Sequence, residues 1–388
     1  MKEHFTRFLH SDPERLHVAA HSHHPWPDVS FEAHQRAWLD AAALHDDKWD
    51  RILDEVLPEA RAHVARQLGL PDPTTIVFAP NTHSFVLRLL SCLPRPTRIL
   101  TTSSEFHSFS RQTRRLEEDG LAQVEWVPLE PFADFPDRLA ASVGAGGHHL
   151  VFVSQVFFDS GYALPDPATV VGAVPDPDTF VVLDGYHGFM ALPTDLGNIA
   201  DRAFYLAGGY KYAMAGEGAV FLHAPPGYGP RPTDTGWFAA FGHLERGGDD
   251  QVTYPTDARR FAGSTFDPSG VYRFNAVQRW LAAEVIGVAD IHAHVRGLQR
   301  RFLDRLADLD LTGLTPDALV PGWDVVADRG HFLTFRVAGA ERLCRRLRDR
   351  KVIADRRRDR VRFGFGIYHD DGDVDLLCDR LLDAERHG

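Results

Sequence analysis

The sequence has few cysteines: Cys92, Cys344 and Cys378 are the only three among 388 residues. They lie far apart, their odd number excludes a closed disulfide framework, and their spacing matches no zinc motif. The N-terminal residues 1–5 lack the apolar segment of a secretion signal. Because reduced thiols are typical of the cytoplasm, we expect a cytoplasmic protein without structural disulfides and without a metal site.

Long apolar runs are also missing, since no stretch of about 18 apolar residues occurs and no membrane span is expected. Positive charge is in deficit, with 42 Lys and Arg against 54 Asp and Glu and a net charge of −12. This balance argues against nucleic acid or an anionic membrane as the main partner. The local cluster Arg356–Arg358 is flanked by Asp355 and Asp359, which predicts a solvated turn.

The chain is long for one hydrophobic core, and it contains no internal repeat and no low-complexity segment. We therefore expect two associated lobes. The predicted parts are an N-terminal segment, 1–30, that packs on the small lobe, a large cofactor-binding domain, 31–270, and a small C-terminal domain, 271–388.

From about residue 75, short apolar runs alternate with stretches long enough for helices. Several runs are apolar on both faces, which is typical of strands that helices cover on both sides. The pattern predicts an α/β fold with a mostly parallel sheet of about seven strands. The predicted strands are Thr75–Ala79, Arg98–Thr102, Val124–Val127, Leu150–Ser154, Phe180–Asp184, Ala203–Ala207 and Ala219–His223.

The second half has a different character, because proline and glycine cluster in 225–236 and a loop-rich region extends to about residue 270. Beyond it the pattern predicts a smaller α+β lobe. Its predicted elements are the helices Tyr272–Ile286, Val288–Leu309 and Glu341–Arg350, the strands His331–Val337 and Val361–Gly364, and a last helix from Asp373.

Two residues with distinct chemistry follow predicted strands. Asp184 ends a strand at the sheet edge where open α/β sheets bind ligands. A buried carboxylate there needs a positive partner, such as the pyridinium nitrogen of pyridoxal 5′-phosphate (PLP); the structural alternative is a helix N-cap. Lys211 lies in a glycine-rich run, where a desolvated amine has a lowered pKa and can form a Schiff base. Taken alone, it also fits a surface lysine in a loop.

Two turns complete the pattern. Residues 79–84, Ala-Pro-Asn-Thr-His-Ser, lie between a strand and an apolar helical run, so their N–H groups suit a phosphate. Capping by Thr82 or Ser84 is the structural alternative. Phe106 suits stacking on a cofactor ring, or else belongs to the core. A phosphate turn, an aromatic residue, a strand-end aspartate and a lysine 27 residues later follow the order found in fold-type I PLP enzymes.

These segments resemble the class V aminotransferase group and, within it, the kynureninases. Each of four segments is similar to a kynureninase motif. They are Asp184 and His187 (D-x-x-H), Tyr210-Lys211-Tyr212 with Ala215-Gly216 (S-Y-K-Y-L-N-A-G), Thr235–Phe238 (S-G-W-F), and Arg362-Phe363 with Tyr368 (R-F and a following Tyr).

The resemblance implies a PLP-dependent homodimer that acts on a small amino acid with a free α-carboxylate. Lys211 would be the Schiff-base lysine and the acid/base at Cα, and Arg362 would bind the α-carboxylate. The implied cofactor-binding residues are His83 (through its backbone), Ser84 and Tyr210 at the phosphate, Phe106 on the ring, Ser154, Asp184 at the pyridine nitrogen, His187 near O3′, and Trp237 and Thr265 from the second subunit.

The chain departs from the kynureninase pattern on the substrate side. Phe106–Phe109 stands in place of F-P-T-D, and residues 154–161 replace S-H-V-N-Y-R-T-G. Ala20–Pro25 replaces a Gly-Asn-Ser-Leu-Gly turn. These changes leave the residues implied for PLP in place.

The predicted reaction is a kynureninase-like hydrolysis of the bond between the β- and γ-carbons, through Lys211. Another PLP reaction on the same scaffold stays open: β-elimination, transamination or decarboxylative deamination. A cysteine desulfurase is disfavoured, because that chemistry needs a nucleophilic cysteine shortly before the carboxylate-binding arginine, and residues 355–360 contain none.

A hypothesis from another class is a metalloprotein that uses His21, His23 and His24. The following Pro25 and Pro27 indicate an extended segment, and no acidic or histidine cluster lies nearby in the sequence. We therefore expect these histidines to line a pocket or to contact a second subunit.

Overall fold

The apolar runs of the sequence form a central sheet that helices cover on both faces. The computed structural model describes residues 1–240, 252–325 and 329–386. The strands are β1 (Leu16–His17), β2 (Ile76–Ala79), β3 (Thr97–Thr102), β4 (Ala122–Val127), β5 (Leu150–Ser154), β6 (Phe180–Asp184), β7 (Ala203–Gly208), β8 (Val220–His223), β9 (Phe332–Arg336), β10 (Val352–Ile353), β11 (Asp355–Arg357) and β12 (Arg360–Gly364).

The helices lie between these strands and at both ends of the described chain. A π-helical turn, Ile52–Val56, joins two of them. The α-helices are α1 (Thr6–Leu9), α2 (Val29–Leu44), α3 (Lys48–Arg51), α4 (Leu57–Gln67), α5 (Thr82–Ser91), α6 (His107–Glu118), α7 (Phe135–Ala145), α8 (Pro167–Ala173), α9 (Ser269–Ala283), α10 (Val288–Ala307), α11 (Ala340–Asp349) and α12 (Asp371–Arg386).

The large sheet has seven strands in the order β2-β8-β7-β6-β5-β3-β4. Only β8 runs against its neighbours: it is antiparallel to both β2 and β7, and the other pairs are parallel. The predicted α/β fold with a mostly parallel seven-stranded sheet is therefore confirmed.

The central strands are buried on both faces, as their sequences predict. In β6, Val181 and Leu183 belong to one hydrophobic cluster, while Phe180 and Val182 belong to another on the opposite face. Side chains alternate between the two faces of a strand, so a run that is apolar at every position requires cover on both sides. Only Asp184, at the carboxyl end of β6, is partly accessible.

The strand order changes direction between β3 and β5. After β3 the chain continues to the edge strand β4 and then returns to pair β5 on the other side of β3. At such a switch point the two crossover connections leave in opposite directions, which opens a crevice at the carboxyl ends of the strands. Phe106 and Ser154 follow or end these two strands, so the topology alone directs attention to them.

A second, antiparallel sheet has the order β11-β12-β9, and its register places Asp355 opposite Arg362. The N-terminal segment adds β1, which pairs in parallel with β10. Leu16 belongs to the core cluster of this region, whereas Phe5 belongs to the core beneath the large sheet. The N-terminal segment thus contacts both cores, and the domain boundaries at residues 30 and 270 stay a prediction.

Several element boundaries differ from the sequence patterns. The helix predicted from Tyr272 begins earlier, at Ser269, because the Asp267 carboxylate accepts hydrogen bonds from the N–H and hydroxyl of Ser269. It ends before Val285, whose φ of 58° does not fit a helix. The strands β1, β10 and β11 were not predicted, since runs of two or three residues carry no periodicity.

The Arg356–Arg358 cluster forms the β11–β12 hairpin, with Arg358 exposed at a φ of 54°. The prediction of a solvated turn is wrong for Asp355. Its side chain is only 13% exposed, because the antiparallel register holds it against Arg362 on the inner face of the hairpin.

None of the described helices combines the length and the apolar character needed to cross a bilayer.

Buried histidines connect the N-terminal segment to the C-terminal region. The imidazole of His17 shares a hydrogen bond of 2.9 Å with the Tyr368 hydroxyl, and His369 Nε2 lies 2.8 Å from the carbonyl oxygen of His17. The ring of His24 packs edge-on against Tyr368. Burial lowers the pKa of His17 and His24 to about 4, and that of His369 to about 3. All three are therefore neutral at pH 7.

We predict that the protein loses stability as the pH falls from about 6.5 toward 4. In this window the unfolded chain binds protons on these histidines and the folded chain does not, so protons favour unfolding. The expected loss at pH 5 is about 1–2 kcal/mol for each histidine. Urea unfolding at pH 7.5 and pH 5 measures it, and His369→Gln should show a smaller difference between the two pH values than the wild type. An equal difference in both proteins would contradict the assignment.

Candidate active site

A cavity of about 1080 Å³ opens at the carboxyl ends of the central strands. It lies at the switch point between β3 and β5, and helices α5 and α6 begin at its wall. Seven of the residues singled out from the sequence line it: His83, Phe106, Ser154, Asp184, His187, Tyr210 and Lys211. The structure thus brings together groups that are spread over more than 120 positions of the chain.

Lys211 lies on the turn after β7 and is only 6% exposed. Its Nζ donates a hydrogen bond of 3.1 Å to the carbonyl oxygen of His21, in the N-terminal segment. Burial, together with the positive charge of Arg362, lowers the pKa of the amine to about 7. A large fraction of the amine is therefore uncharged at neutral pH, which is the form that attacks a carbonyl carbon.

Asp184 faces the same cavity, and its Oδ1 accepts a hydrogen bond of 2.9 Å from the N–H of Tyr186. Burial raises the pKa of this carboxyl to about 6, although the hydrogen bond from Tyr186 and the charge of Lys211 act in the opposite direction. A cation in the cavity would remove this penalty. His187 follows one turn later, buried, and the Nδ1 of its ring has no hydrogen-bond partner among the described residues.

The glycine after Asp184 is required by close packing. A Cβ at Gly185 would lie 1.9 Å from Cζ of Tyr205, which is far inside van der Waals contact. The Tyr205 hydroxyl, in turn, donates a hydrogen bond of 2.9 Å to Gln155 Oε1. Gly185 therefore allows the backbone that follows Asp184 to pack directly against the ring of Tyr205.

The turn before α5 is capped by Asn81, not by Thr82 or Ser84. Asn81 Oδ1 accepts hydrogen bonds from the N–H and hydroxyl of Ser84, at 2.9 and 3.1 Å. Ser84 is thus turned toward Asn81 and does not line the cavity. The N–H groups of Thr82 and His83 occupy the first turn, where a helix supplies no acceptor, so they suit an anion.

Aromatic rings form one wall of the cavity. Phe106 lies with its ring centroid 6.0 Å from the Nζ of Lys211. Phe158 contacts it edge-on, with centroids 5.5 Å apart, and His107 contacts Phe158 at 5.0 Å. A planar ring that enters between Phe106 and Lys211 would therefore find an apolar face on one side.

Glu105 is a buried residue of the site that the sequence patterns did not single out. Its carboxyl accepts hydrogen bonds from Ser154, through both its N–H and its hydroxyl, and from the hydroxyl of Thr102. Burial raises the pKa of Glu105 to about 8, so the group is mostly protonated at neutral pH. The only sequence feature that indicates a role for Glu105 is its position directly before Phe106.

Arg362 is not among the residues that line the cavity, but it lies beside Phe158, which is one of them. Its guanidinium is buried: Nη2 forms an ion pair with Asp355 Oδ2, and Nη1 donates to the carbonyl oxygen of Phe158. The rings of Phe158 and Phe332 flank it, with centroids 6.0 and 5.6 Å from Cζ. Asp355, like Glu105, was not predicted as a residue of the site, because its segment was predicted to be a solvated turn.

Trp237 and Thr265 lie together, away from the cavity of their own chain. Trp237 Nε1 donates a hydrogen bond of 2.9 Å to Thr265 Oγ1, and Trp237 is 38% exposed. Their role toward a second subunit stays a prediction.

The three N-terminal histidines point in different directions. His21 is buried, with Nε2 3.4 Å from Asp355 Oδ2, whereas His23 is exposed and stacks on Tyr210. His24 is buried, and its Nδ1 lies 2.7 Å from the carbonyl oxygen of Pro25. Within residues 1–240, 252–325 and 329–386, no three His, Cys, Asp or Glu side chains cluster in a way that suits a metal ion.

The donor set fits PLP better than it fits a metal. The lining contains one buried amine with a lowered pKa, one carboxylate without an ion pair among the described residues, and an apolar ring wall. Two buried ring nitrogens at the cavity, Nδ1 of His83 and Nδ1 of His187, have no partner in the described structure. An aldehyde, a pyridine nitrogen, a phenolic oxygen and a phosphate are the groups that such a lining can satisfy.

The sheet order, the switch-point cavity and the buried lysine together define a fold-type I PLP-dependent transferase. Residues 46–331 match the aminotransferase class-V family. This match spans more than half of the sequence, so the chain belongs to the aminotransferase class-V family, and PLP is the cofactor of that family. A search of curated proteins finds no match.

Solved structures with the same fold include enzymes of sulfur chemistry. C-DES, with glycine covalently linked to its PLP cofactor, is 17% identical over 99% of both chains, with a TM-score of 0.80. The apo cysteine desulfurase from Thermococcus onnurineus NA1 is 18% identical over 99% of this chain and 98% of that chain, with a TM-score of 0.81. CsdA from Escherichia coli is 19% identical over 99% and 97%, with a TM-score of 0.78. At this identity the likeness shows the fold alone.

We predict that Gly185→Ala damages the site through packing. The added methyl group must displace Tyr205, so the free energy of unfolding should fall by about 1–3 kcal/mol and PLP should be retained less well. Gly172→Ala is the matched control, because a Cβ there meets nothing within 4 Å and the residue lies in α8. Urea unfolding of both variants checks this. Equal stability of the two variants would contradict the packing argument.

Proposed function

We propose that this protein hydrolyses the bond between the β- and γ-carbons of an α-amino acid, as kynureninases do, with a free α-carboxylate as the recognised end of the substrate. The observation that carries the proposal is the meeting of Lys211, with a pKa of about 7, and Asp184 at one cavity with an aromatic wall. The kynureninase motifs around Lys211 and Arg362 support the reaction type.

Lys211 is the residue that would hold PLP covalently, because it is the buried amine of the cavity. The same amine would also accept and return a proton at the substrate Cα. Its lowered pKa suits both tasks, since a group with a pKa near the working pH accepts and releases protons with equal ease.

The remaining cofactor contacts are assigned by the chemistry of each side chain. When bound, PLP supplies an electron sink that stabilises negative charge at the substrate Cα. Asp184 would pair with the pyridinium nitrogen, and His187 would lie near the phenolic oxygen. The N–H groups at the start of α5, including that of His83, would hold the phosphate together with Tyr210, and Phe106 would stack on the ring.

Ser84 and Ser154 have weaker assignments. The hydroxyl of Ser84 is bound to Asn81, so any part in phosphate binding requires a different side-chain rotamer. Ser154 donates its hydroxyl to Glu105 and would act at the cofactor through that pair. In a homodimer, Trp237 and Thr265 would reach the phosphate of the partner subunit, since they lie outside their own cavity.

The substrate side of the proposal depends on Arg362 and the neighbouring rings. A guanidinium matches the planar carboxylate of an amino acid, and Arg362 lies beside Phe158, which lines the cavity. An aromatic acyl group, such as that of kynurenine, would find Phe106 and Phe158 beside it.

A second candidate is a β-elimination such as the cystine C–S lyase reaction named for C-DES. A desulfurase that forms a persulfide on its own cysteine is less well supported. None of the three cysteines lines the cavity, and burial raises the pKa of Cys92 to about 12 and those of Cys344 and Cys378 to about 11. Such thiols are poor nucleophiles at neutral pH.

We predict an absorbance band near ~420 nm in the purified protein, from PLP held by Lys211, and its loss or displacement in Lys211→Ala. Kynurenine or 3-hydroxykynurenine should then be converted to alanine and the corresponding anthranilate. Absorbance spectra and chromatography of the products measure both. Pyruvate formation from cystine without anthranilate from kynurenine would select the lyase reaction, and absence of the band after PLP is supplied would refute the role of Lys211.

We also predict that Arg362→Gln weakens amino-acid binding by about ten-fold or more while PLP binding changes little. The reason is that the guanidinium contributes a charge-assisted hydrogen bond to the carboxylate and none to the cofactor. Spectral titration with amino acids and with PLP measures the two affinities. An equal loss of both would reject the assigned role.

A further inference from the structure

Arg362, the residue proposed to bind the substrate carboxylate, already forms an ion pair with the carboxylate of Asp355. Its side chain is 2% exposed, and Nη2 forms an ion pair with Asp355 Oδ2. Nη1 donates to the carbonyl oxygen of Phe158, so both ends of the guanidinium are engaged inside the protein. Among the guanidinium nitrogens only Nε lacks a partner in the described structure, so a substrate carboxylate that binds two nitrogens must share or displace one of these contacts.

Asp355 cannot leave the neighbourhood of Arg362, because the two residues are directly opposite each other in the β11–β12 ladder. Besides Arg362, the carboxylate contacts the backbone N–H of Arg356, which donates to Oδ1 at 2.6 Å, and two further side chains. Arg357 Nη1 lies 2.9 Å from Oδ1, and His21 Nε2 lies 3.4 Å from Oδ2. Although burial acts in the opposite direction, the contact with His21 and the charge of Arg362 hold the pKa of Asp355 well below its usual range, so the carboxylate stays ionised.

The cluster therefore combines two guanidinium groups with one carboxylate. His21 adds no charge, because burial lowers the pKa of its imidazole to about 3. Arg362 and Arg357 together outweigh Asp355 by one positive charge, which leaves room for one more anion. Since Asp355 Oδ1 already contacts Arg357, the carboxylate keeps a partner when Oδ2 releases Arg362.

We propose that Asp355 is a specificity-determining residue: a built-in carboxylate that competes with the substrate carboxylate for Arg362 and moves onto Arg357 when the substrate binds. This inference rests on the carboxylate-binding role proposed for Arg362. The competition lowers the affinity for every carboxylate and limits binding to substrates whose remaining groups also contact the cavity. Arg357, at the hairpin, is the positioning residue that receives Asp355.

The test compares L-alanine with L-alaninamide, which differ in the carboxylate alone. Both are titrated into the PLP-loaded protein, and Kd is read from the absorbance change. The ratio of the two Kd values reports the preference for a carboxylate. In Asp355→Asn this preference should rise by about ten-fold, the effect of removing one charge-assisted competitor.

Two variants serve as matched controls on the same chain. Asp355→Glu keeps the competing charge, so its preference should stay near that of the wild type. Asp359→Asn makes the same chemical change on the same hairpin, but Asp359 is exposed and lies 3.6 Å from Arg336, so the preference should not change. General damage to the fold would change the Kd values of L-alanine and L-alaninamide by the same factor, so their ratio would not change.

The outcomes separate the two proposals. If the carboxylate preference is lost in Arg362→Gln, the role of Arg362 is supported. If, in addition, the preference in Asp355→Asn is unchanged or lower than in the wild type, the proposed competition by Asp355 is rejected. A preference that survives in Arg362→Gln overturns the role of Arg362 and the competition with it. If Asp355→Asn does not fold, Arg357→Gln gives the answer: loss of the receiving arginine should lower the carboxylate preference, and an unchanged preference there rejects the proposal.

Discussion

Removal of water from one amine is the constraint on which the site depends. Lys211 is buried at the end of a parallel sheet, and the nearest acceptor for its Nζ is a backbone carbonyl oxygen, that of His21. In water the amine would be protonated and inert toward a carbonyl carbon, whereas here its pKa falls to about 7. The strands of the large sheet, covered on both faces, create the dry environment that makes this shift possible.

The N-terminal segment is part of this environment. His21 supplies the acceptor for Lys211, packs on Phe332 and approaches Asp355. Its approach requires glycine beneath it, since a Cβ at Gly364 would lie 2.1 Å from the His21 ring. The site is therefore built from the large sheet, the N-terminal segment and the C-terminal hairpin at once, and a change in any of the three reaches the amine.

Much of the fold and part of the site can be predicted from the sequence. The seven strands and the edge positions of Asp184 and Lys211 follow from apolar periodicity and from motif order. Glu105 and Asp355 do not, because their burial depends on partners at Ser154 and Arg362, which lie on other strands. A charged residue in a polar stretch carries no local sign that a distant strand will enclose it.

The order of assembly follows from the joining of distant segments. Along the chain, His21 is made before Lys211, whereas Arg362 and its hairpin are made after it. During synthesis, the large sheet can enclose Lys211 before Arg362, whose charge helps to lower the pKa of the amine, has been made. Until the hairpin has been made, the surroundings of the amine lack the charge of Arg362, which contributes to the lowered pKa of Lys211.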